Sequence, residues 1–320
     1  MQVFLRRYGT LIGFLAIVLF FSAMLPGTFP TARNWLNITQ QVSMLMVVAA
    51  GMTIVMVMGD FDLSVGSMAS LSGIAAALLM ASGQPVWLAV AAGLGVGLLG
   101  GVFNGAMVSL VGIMPFIATL ATMTMFAGLA FVVSGGKTIS GRAIPEEFGN
   151  FARGGVPLGE WGGVAVSLPN LTIIALLVVL LVWVLLEQTT FGRRLYAIGG
   201  NAEAARLSGI AVRRLRLLAF ALTGLAAAGG GLMYASRVAS ANPVQGSGLM
   251  LNAIAAVFLG STMSRHGEPR ILATVIGVLV LGVLDNGLTQ MSVDSYIRQV
   301  LVGGLILLAV AASSMTQGRR

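Results

Sequence analysis

Long apolar stretches separated by short polar segments run through most of this chain. A helix that crosses the hydrocarbon core of a membrane needs about 20 mostly apolar residues. This criterion predicts ten spans, at 9–27, 42–58, 66–81, 86–110, 115–133, 169–187, 215–236, 248–263, 271–290 and 296–313. The third and eighth are short or interrupted by glycine, so eight or nine full crossings remain an alternative. The pattern therefore predicts an all-α polytopic membrane protein.

Composition supports this fold class. Hydrophobic residues make up 57% of the 320 residues and charged residues only 9%, whereas a soluble domain carries about 25% charged residues. We therefore expect residues 1–320 to form one transmembrane domain. The apolar run at 11–25 follows Arg6 and Arg7 as in a secretory signal, but no convincing cleavage site follows it. We interpret it as a retained first helix.

The residue types that most enzymes and metal sites need are scarce. The chain has no cysteine and one histidine, His266, which excludes thiol catalysis and argues against a histidine-based metal site or triad. It also contains no GxxxxGK[ST] phosphate loop, no HExxH and no GxSxG. We therefore expect no enzyme activity, no metal and no cofactor in this chain.

The distribution of positive charge predicts the orientation. With ten crossings and an internal N-terminus, twelve of the 18 Lys and Arg residues lie inside and six outside. Such a bias over short loops supports this orientation. Both termini are then cytoplasmic. The loop 134–168 is external, and its glycines, prolines and acidic residues offer a platform for an external partner.

The most informative polar segment is the loop 189–216. It carries a third of the chain's basic residues, namely Arg193, Arg194, Arg206, Arg213, Arg214 and Arg216. Residues 201–206 are typical of a short helix that follows a turn at Gly199 and Gly200, with Asn201 as its N-cap and Glu203 in its first turn. Ala204, Ala205 and Gly209 are small, so a partner surface can approach closely. The alternative is a merely solvated loop, but the ordered turn, cap and small-residue helix favour a docking surface.

A second polar segment, 59–67, has the sequence GDFDLSVGS and interrupts the apolar pattern between the second and third spans. Asp62 or Ser64 can cap the third helix, and Gly59 and Gly66 permit turns that a side chain would forbid. Asp60 is the second carboxylate. The segment is either a capped cytoplasmic turn or a structured element beside a pathway or partner interface, because non-helical backbone at membrane depth must be buried or line water.

Further polar residues fall inside the predicted spans. They are Asn104, Thr119, Thr122, Thr124, Asn252, Asp285 and Asn286. Most are expected to form hydrogen bonds between helices, which contribute about 1 kcal/mol or less each, and a minority to line a pathway for a polar solute. The charged inner turn 265–270 is either a second partner contact or an ordinary loop.

Taken together, these segments resemble the permease subunits of bacterial ABC sugar importers of the ribose, arabinose and xylose type. GDFDLSVGS at 59–67 is similar to that family's GGIDLSVGS, and residues 189–212 closely resemble its T-x-FGR-x-x-YAIGGN-x-x-AA-x-x-SGI-x-V loop. Similar strings begin the fifth span (PFIATL, 115–120), lie in the eighth (NAIAAV, 252–257) and end the ninth (NGL, 286–288). Two features depart from the family: GSTMSRHGEPR at 260–270 replaces a glycine-rich turn, and Asn252 replaces an aspartate.

The resemblance implies an ABC importer permease fold and a function in sugar transport at the bacterial inner membrane. It implies two permease chains, two cytoplasmic ATPase subunits that hold ATP and Mg²⁺, and a soluble sugar-binding protein outside. Residues 199–209 would be the coupling helix seated on the ATPase, and the chain would convert rigid-body motion into alternating access. The candidate coupling residues are Arg193, Gly199, Gly200, Asn201, Glu203, Ala204, Ala205 and Gly209. The candidates near the pathway or an interface are Gly59, Asp60, Asp62, Ser64 and Gly66, and the candidate pathway-lining residues are Asn104, Phe116, Thr119, Asn252 and Asn286.

Other cargoes and one other class stay open. A permease of the same superfamily can carry a nucleoside, a polyol, an amino acid or a signalling furanose. A secondary transporter would need ionisable residues near the membrane midplane, and Asp285 is the one candidate, near the end of its span. The sequence leaves open which solute is carried and whether the second permease chain is identical or a similar paralogue.

Overall fold

The protein is described by a computed structural model that covers residues 2–161, 164–264, 267–304 and 307. Its long helices are α1 (Gln2–Met24), α2 (Ala32–Met56), α3 (Val65–Ala81), α4 (Val86–Ala106), α5 (Pro115–Ser134), α7 (Asn170–Trp183), α10 (Val212–Val238), α11 (Leu249–Ser261) and α12 (Ile271–Gln290). Its short helices are α6 (Glu146–Arg153), α8 (Thr190–Gly200) and α9 (Ala202–Leu207). A further helical segment occupies 295–304. Wider π-helical turns extend α4 over Met107–Val111 and α7 over Val184–Gln188.

Each of the first nine predicted spans corresponds to one long helix, and the tenth, 296–313, is helical over 296–304, with most of its remainder outside the described residues. Six helical segments in the described part of the chain are long and apolar enough to cross a membrane. The predicted third and eighth spans are indeed the short ones, since α3 has 17 residues and α11 has 13. The prediction of an all-α polytopic membrane protein is therefore confirmed.

Side-chain contacts divide the connections between two ends of the bundle. The first, here called the basic end, comprises 57–64, 107–114, 189–211 and 267–270. Tyr196 Oη donates to the carbonyl oxygen of Pro269 at 3.0 Å there. At the opposite end, Gln290 Nε2 donates to Asn34 Oδ1 at 2.9 Å. Successive long helices therefore alternate in direction, as ten crossings require.

The centre of the bundle is α10, which packs against α2, α3 and α4. Glycines let these helices approach closely, as small residues do in membrane helix interfaces. Along the seam between α4 and α10, a Cβ on Gly97 or Gly101 would overlap the carbonyl oxygen of Gly224 or Phe220, respectively. The glycines of this seam thus serve close helix packing rather than flexibility.

The predicted external loop has more regular structure than its polar composition indicated. Strand β1 (Ile139–Ser140) pairs antiparallel with β4 (Ser240–Ala241), and β2 (Gly155–Trp161) pairs antiparallel with β3 (Val164–Pro169), with Val156 opposite Leu168. Helix α6 lies between β1 and β2 in the chain. The carbonyl oxygen of its Phe148 accepts a hydrogen bond from the hydroxyl of Ser236 in α10. Contacts with the long helices therefore hold this surface in place.

Candidate functional site

Helix α8 forms the first half of the predicted docking loop and is anchored to the bundle. Leu195 and Ile198 are buried, and Tyr196 bonds to Pro269 just before α12. Tyr196 Oη also lies 3.4 Å from Glu187 Oε1, and burial together with the charge of Glu187 raises the pKa of this phenol. Because it is attached to α7 and to the segment before α12, α8 is expected to move together with the membrane helices.

The end of α8 corrects one expectation. The sequence placed a turn at Gly199 and Gly200, but both residues belong to α8, and the chain turns at Asn201 with φ −160° and ψ 103°. Gly199 is needed for close packing, since a Cβ there would overlap the carbonyl oxygen of Val57, whereas open space surrounds Gly200. The two adjacent glycines therefore differ: Gly199 faces α2 and Gly200 faces away from the chain.

Helix α9 forms the second half of the loop and is capped at both ends. Asn201 Oδ1 accepts a hydrogen bond from the amide of Ala204 at 2.9 Å, which confirms the predicted N-cap. Gly209 follows the helix with φ +82°. The amides of Gly209 and Ile210 bond to the carbonyls of Arg206 and Ala205, both at 3.0 Å, in the Schellman arrangement. Six residues are too few for an independently stable helix, so these caps and the neighbouring helices define it.

The outward face of α9 combines charge with one apolar side chain. Glu203 Oε2 accepts from Arg206 Nε at 2.9 Å, and this bond lowers the pKa of Glu203. Leu207 is 74% exposed. Ala204 is also exposed, but Ala205 is buried against the bundle, so only the first of the two alanines can face a partner. Arg193, Arg194, Arg213 and Arg214 are exposed around this helix.

The segment 59–64 lies beside this loop and connects to it through an ion pair. Gly59 has φ +80°, as expected for a turn that favours glycine. Asp60 Oδ2 lies 2.8 Å from Arg216 Nε, and Arg216 Nη2 donates to Asp60 Oδ1 at 3.2 Å. Burial raises the pKa of Asp60, and the Arg216 charge opposes that shift. The pair joins the α2–α3 connection to the second turn of α10.

Breaking this pair from one side should destabilise the fold. Arg216→Ala should lower the free energy of unfolding by about 3–5 kcal/mol, because it leaves Asp60 buried without its partner. We expect the double variant Asp60→Ala/Arg216→Ala to lose less than the single variant. Denaturant unfolding in detergent measures both, with Arg213→Ala as the exposed control. An effect of Arg216→Ala as small as that of Arg213→Ala would contradict this prediction.

Asp62 and Ser64 form a buried network. The side-chain cap on α3 that the sequence predicted is not formed. Asp62 Oδ1 accepts from the amide of Ser64 at 2.9 Å and from its hydroxyl at 2.6 Å. Ser64 occupies the N-cap position of α3, but its side chain accepts no capping bond. Burial raises the pKa of Asp62, and the bonds from Ser64 and Asn104 oppose this. Gly66 is helical, and a Cβ there would lie 2.6 Å from the carbonyl oxygen of Gly246, so this glycine serves packing and not a turn.

The candidate pathway-lining residues fall into different environments. Phe116 of α5 is 54% exposed, and Asn252 of α11 is half-buried. Thr119 is buried and donates to the carbonyl oxygens of Pro115 at 2.8 Å and Phe61 at 3.3 Å. Asn104 is fully buried beside Asp62 and Ser64.

Asn286 lies apart from these residues, toward the opposite end. Its Nδ2 donates to Gln41 Oε1 at 3.3 Å, and its Oδ1 accepts from Gln290 at 2.8 Å. Asn104 and Asn286 therefore hold helices together inside the chain, and only Phe116 and Asn252 have surface available to a solute.

Sequence reasoning missed the anchoring role of two residues. Tyr196 fell within the YAIGGN string and Arg216 within the arginine set, but nothing local indicated that they bond to Pro269 and Asp60. Within the described ranges, no three His, Cys, Asp or Glu residues are grouped so that they could hold a metal ion. Arg265 and His266 of the charged inner turn lie outside the described residues.

Comparison with known proteins places these features in a family. Residues 34–310 match the family model described as branched-chain amino acid transport system / permease component. The chain is 40% identical over 309 residues to the ribose import permease protein of Bacillus subtilis (strain 168), covering 96% of this chain and 92% of that protein. It is 36% identical to the ribose import permease protein of Escherichia coli (strain K12), covering 99% and 96%. The L-arabinose transport system permease protein of the same strain is 36% identical, covering 95% and 88%.

One solved structure shares the fold. It is described as a metal-chelate type ABC transporter in an inward-facing conformation, and it aligns with a TM-score of 0.52 at 15% identity, covering 94% of this chain and 98% of that one. At this low identity the likeness concerns the fold alone. The arrangement of long helices described above is thus one that ABC transporter membrane subunits adopt.

Proposed function

Because the chain belongs to the family of branched-chain amino acid transport system permease components, we propose that it is the permease subunit of an ABC importer for a monosaccharide. Relatives that cover nearly its whole length are named as ribose and L-arabinose permeases, which supports a pentose-like sugar as cargo, and another is named as a permease for the hexose D-allose. The chain is a multi-pass protein of the inner membrane. Its single transmembrane domain would carry sugar by alternating access.

Coupling to a separate ATPase rests mainly on α9. This short helix is capped at both ends, exposes Leu207 and Ala204, and is surrounded by arginines. It follows α8, which is bonded to the membrane helices at Tyr196 and packed on α2 at Gly199. A partner that displaces α9 would therefore displace the bundle as well. ATP and Mg²⁺ would bind in that partner, and this chain would perform no covalent chemistry.

The basic end would then face the cytoplasm, together with both termini. Thr10 Oγ1 of α1 lies 2.6 Å from Thr262 Oγ1, just after α11, so α1 begins at that end, and the positive-inside bias supports the orientation. The opposite end would receive an external sugar-binding protein on α6 and the β2–β3 hairpin, where Phe151, Val156 and Leu158 are exposed. A second permease chain, identical or similar, would complete the pathway beside Phe116 and Asn252.

Two alternatives remain to be tested. The first is another cargo within the same superfamily, such as a branched-chain amino acid, nucleoside, polyol or signalling furanose. The second is a secondary transporter, for which Asp285 was the candidate acid. Asp285 Oδ1 lies 2.7 Å from Arg298 Nη1 near the opposite end, and this pairing disfavours a role in ion coupling.

Co-purification with candidate ATPase subunits tests the proposal. We expect the native chain to retain an ATPase in detergent, and a variant with residues 202–207 scrambled to lose it, while α8 keeps the loop attached to the bundle. Uptake of labelled pentoses into proteoliposomes that contain the recovered complex and its binding protein then tests the cargo. Uptake that follows an ion gradient without ATP would instead support a secondary transporter.

A further inference from the structure

Three fully buried polar side chains connect the α2–α3 segment to α4. Asp62, Ser64 and Asn104 each have 0% of their surface exposed. Asn104 Nδ2 donates to Ser64 Oγ at 2.8 Å and lies 3.4 Å from both carboxylate oxygens of Asp62. Its amide therefore contacts both members of the Asp62–Ser64 network, although it is about 40 residues away in the chain.

The chemistry of Asn104 is specific to this contact. A carboxylate only accepts hydrogen bonds, so the NH₂ group of Asn104 must face Asp62. Its other polar atom, Oδ1, is buried without a hydrogen-bond partner among the described residues. The side-chain amide is therefore oriented so that its NH₂ group donates to Ser64 and Asp62. An apolar side chain of similar size could not supply these hydrogen bonds.

The backbone of Asn104 is held firmly in turn by α10. Gly101 and Gly105 lie three residues before it and one after it. A Cβ on Gly101 would lie 2.9 Å from Ala221 Cα, and one on Gly105 would lie 2.8 Å from Leu217 Cα. With these two backbones in contact, Asn104 has to move with the α4–α10 seam.

The same seam holds the other end of the 59–64 segment. Arg216, next to Leu217 on α10, pairs with Asp60. Between the two attachments, the carbonyl oxygen of Phe61 accepts a bond from Thr119 of α5 at 3.3 Å, and its ring lies 6.0 Å from the ring of Phe258 of α11. Residues 59–64 are thus fixed to α10 and α4 at both ends and touch α5 and α11 in the middle.

We propose that Asn104 is a positioning residue for transport, which keeps residues 59–64 attached to the α4–α10 seam so that movement of α10 reaches α5. This inference rests on the proposed coupling of α9 to an ATPase, since α10 begins five residues after α9 ends. It gives Asn104 a role different from lining the pathway, because the residue contacts only its own chain and has no exposed surface.

Hydrogen–deuterium exchange on the purified chain tests the attachment itself. Asn104→Leu keeps a similar volume and removes the donor, so backbone exchange over 59–64 should rise by about tenfold or more while exchange in α8 stays at the native level. Ser109→Ala is the matched control, since Ser109 is a nearby buried residue whose hydroxyl, among the described residues, bonds only to the Gly105 carbonyl of the same helical segment. Unchanged exchange over 59–64 in Asn104→Leu would overturn the proposal, whatever the transport result.

Sugar taken up per ATP hydrolysed, measured in proteoliposomes with the ATPase and binding protein, tests the role in transport. Asn104→Leu should lower this ratio by about fivefold or more, in the range of typical coupling effects. Asn104→Asp should lower this ratio further, because it places two carboxylates next to each other. The double variant Asp62→Asn/Asn104→Asp should restore the ratio, because one amide again faces one carboxylate.

A merely structural role gives a different result. If Asn104→Leu lowers thermal stability but the folded fraction keeps the native ratio, or if the exchanged pair restores stability and not the ratio, the proposal is wrong. Failure of the native complex to take up sugar with ATP would instead count against the proposed function, and the exchange experiment would still decide whether Asn104 holds the segment.

Discussion

Gly101→Leu should nearly abolish folded protein. In the native fold the carbonyl oxygen of Phe220 and the Cα of Ala221 occupy the space that a side chain at position 101 would need. Overpacking usually costs about 1–3 kcal/mol, because neighbouring side chains adjust. Here the obstacle is the backbone of α10, which cannot move without separating α4 from the centre of the bundle. We therefore expect the yield of monodisperse protein in detergent to fall by about tenfold or more.

Gly95→Leu is the matched control on the same helix. Nothing lies within 4 Å of a Cβ at this position, and leucine is at least as good a helix former as glycine, so the yield should remain near the native level. Size-exclusion chromatography of membranes solubilised in parallel compares the two variants. Equal yields would show that the α4–α10 seam is looser than the structure indicates.

Gly200→Trp should uncouple transport from ATP hydrolysis and leave the permease folded. Gly200 ends α8 beside α9, is exposed, and has no atom of its own chain within 4 Å of a Cβ. A bulky side chain there would meet the docking partner and not the bundle. We expect ATP-driven uptake to fall by about tenfold or more, since disrupting a packed interface contact costs about 2 kcal/mol or more at sensitive positions.

The control for this second prediction is Gly200→Ala. The residue is helical, so alanine fits without backbone strain, and uptake should stay near the native rate. Yield and thermal stability of both variants establish that each is folded. Native uptake by a well-folded Gly200→Trp protein would argue against α9 and the end of α8 as the ATPase contact.

The apolar pattern was enough to predict the helices. The first nine spans and the described part of the tenth are helical, because a stretch of apolar residues at membrane depth has to satisfy its backbone hydrogen bonds within a helix. The third and eighth spans are short, as predicted. The cap at Asn201 was also predictable, because N-capping depends on residues three positions apart. Capping involves residues within about one turn of helix of each other, so it can be recognised from neighbouring positions in the sequence.

The errors in the site came from contacts between distant segments. Gly199 was predicted to provide a turn, but the carbonyl of Val57 leaves room only for a glycine within the helix. For Asn104 the sequence left two roles open, a hydrogen bond between helices or a place in the pathway lining, and its bonds to Ser64 and Asp62 favour the first. In both cases the residue type indicated a constrained position, but the residues that impose the constraint lie far away in the chain.

By itself the sequence determined the membrane class, the positions and order of the apolar helices, and the position of the exposed basic loop, because hydrophobicity and capping are properties of local segments. Only the tertiary structure decided that Asp60 pairs with Arg216, 156 residues away, and that one buried network joins the α2–α3 segment to α4. The physical reason is that a buried charge or amide is stable only where a complementary group meets it, and helix packing alone brings such groups together.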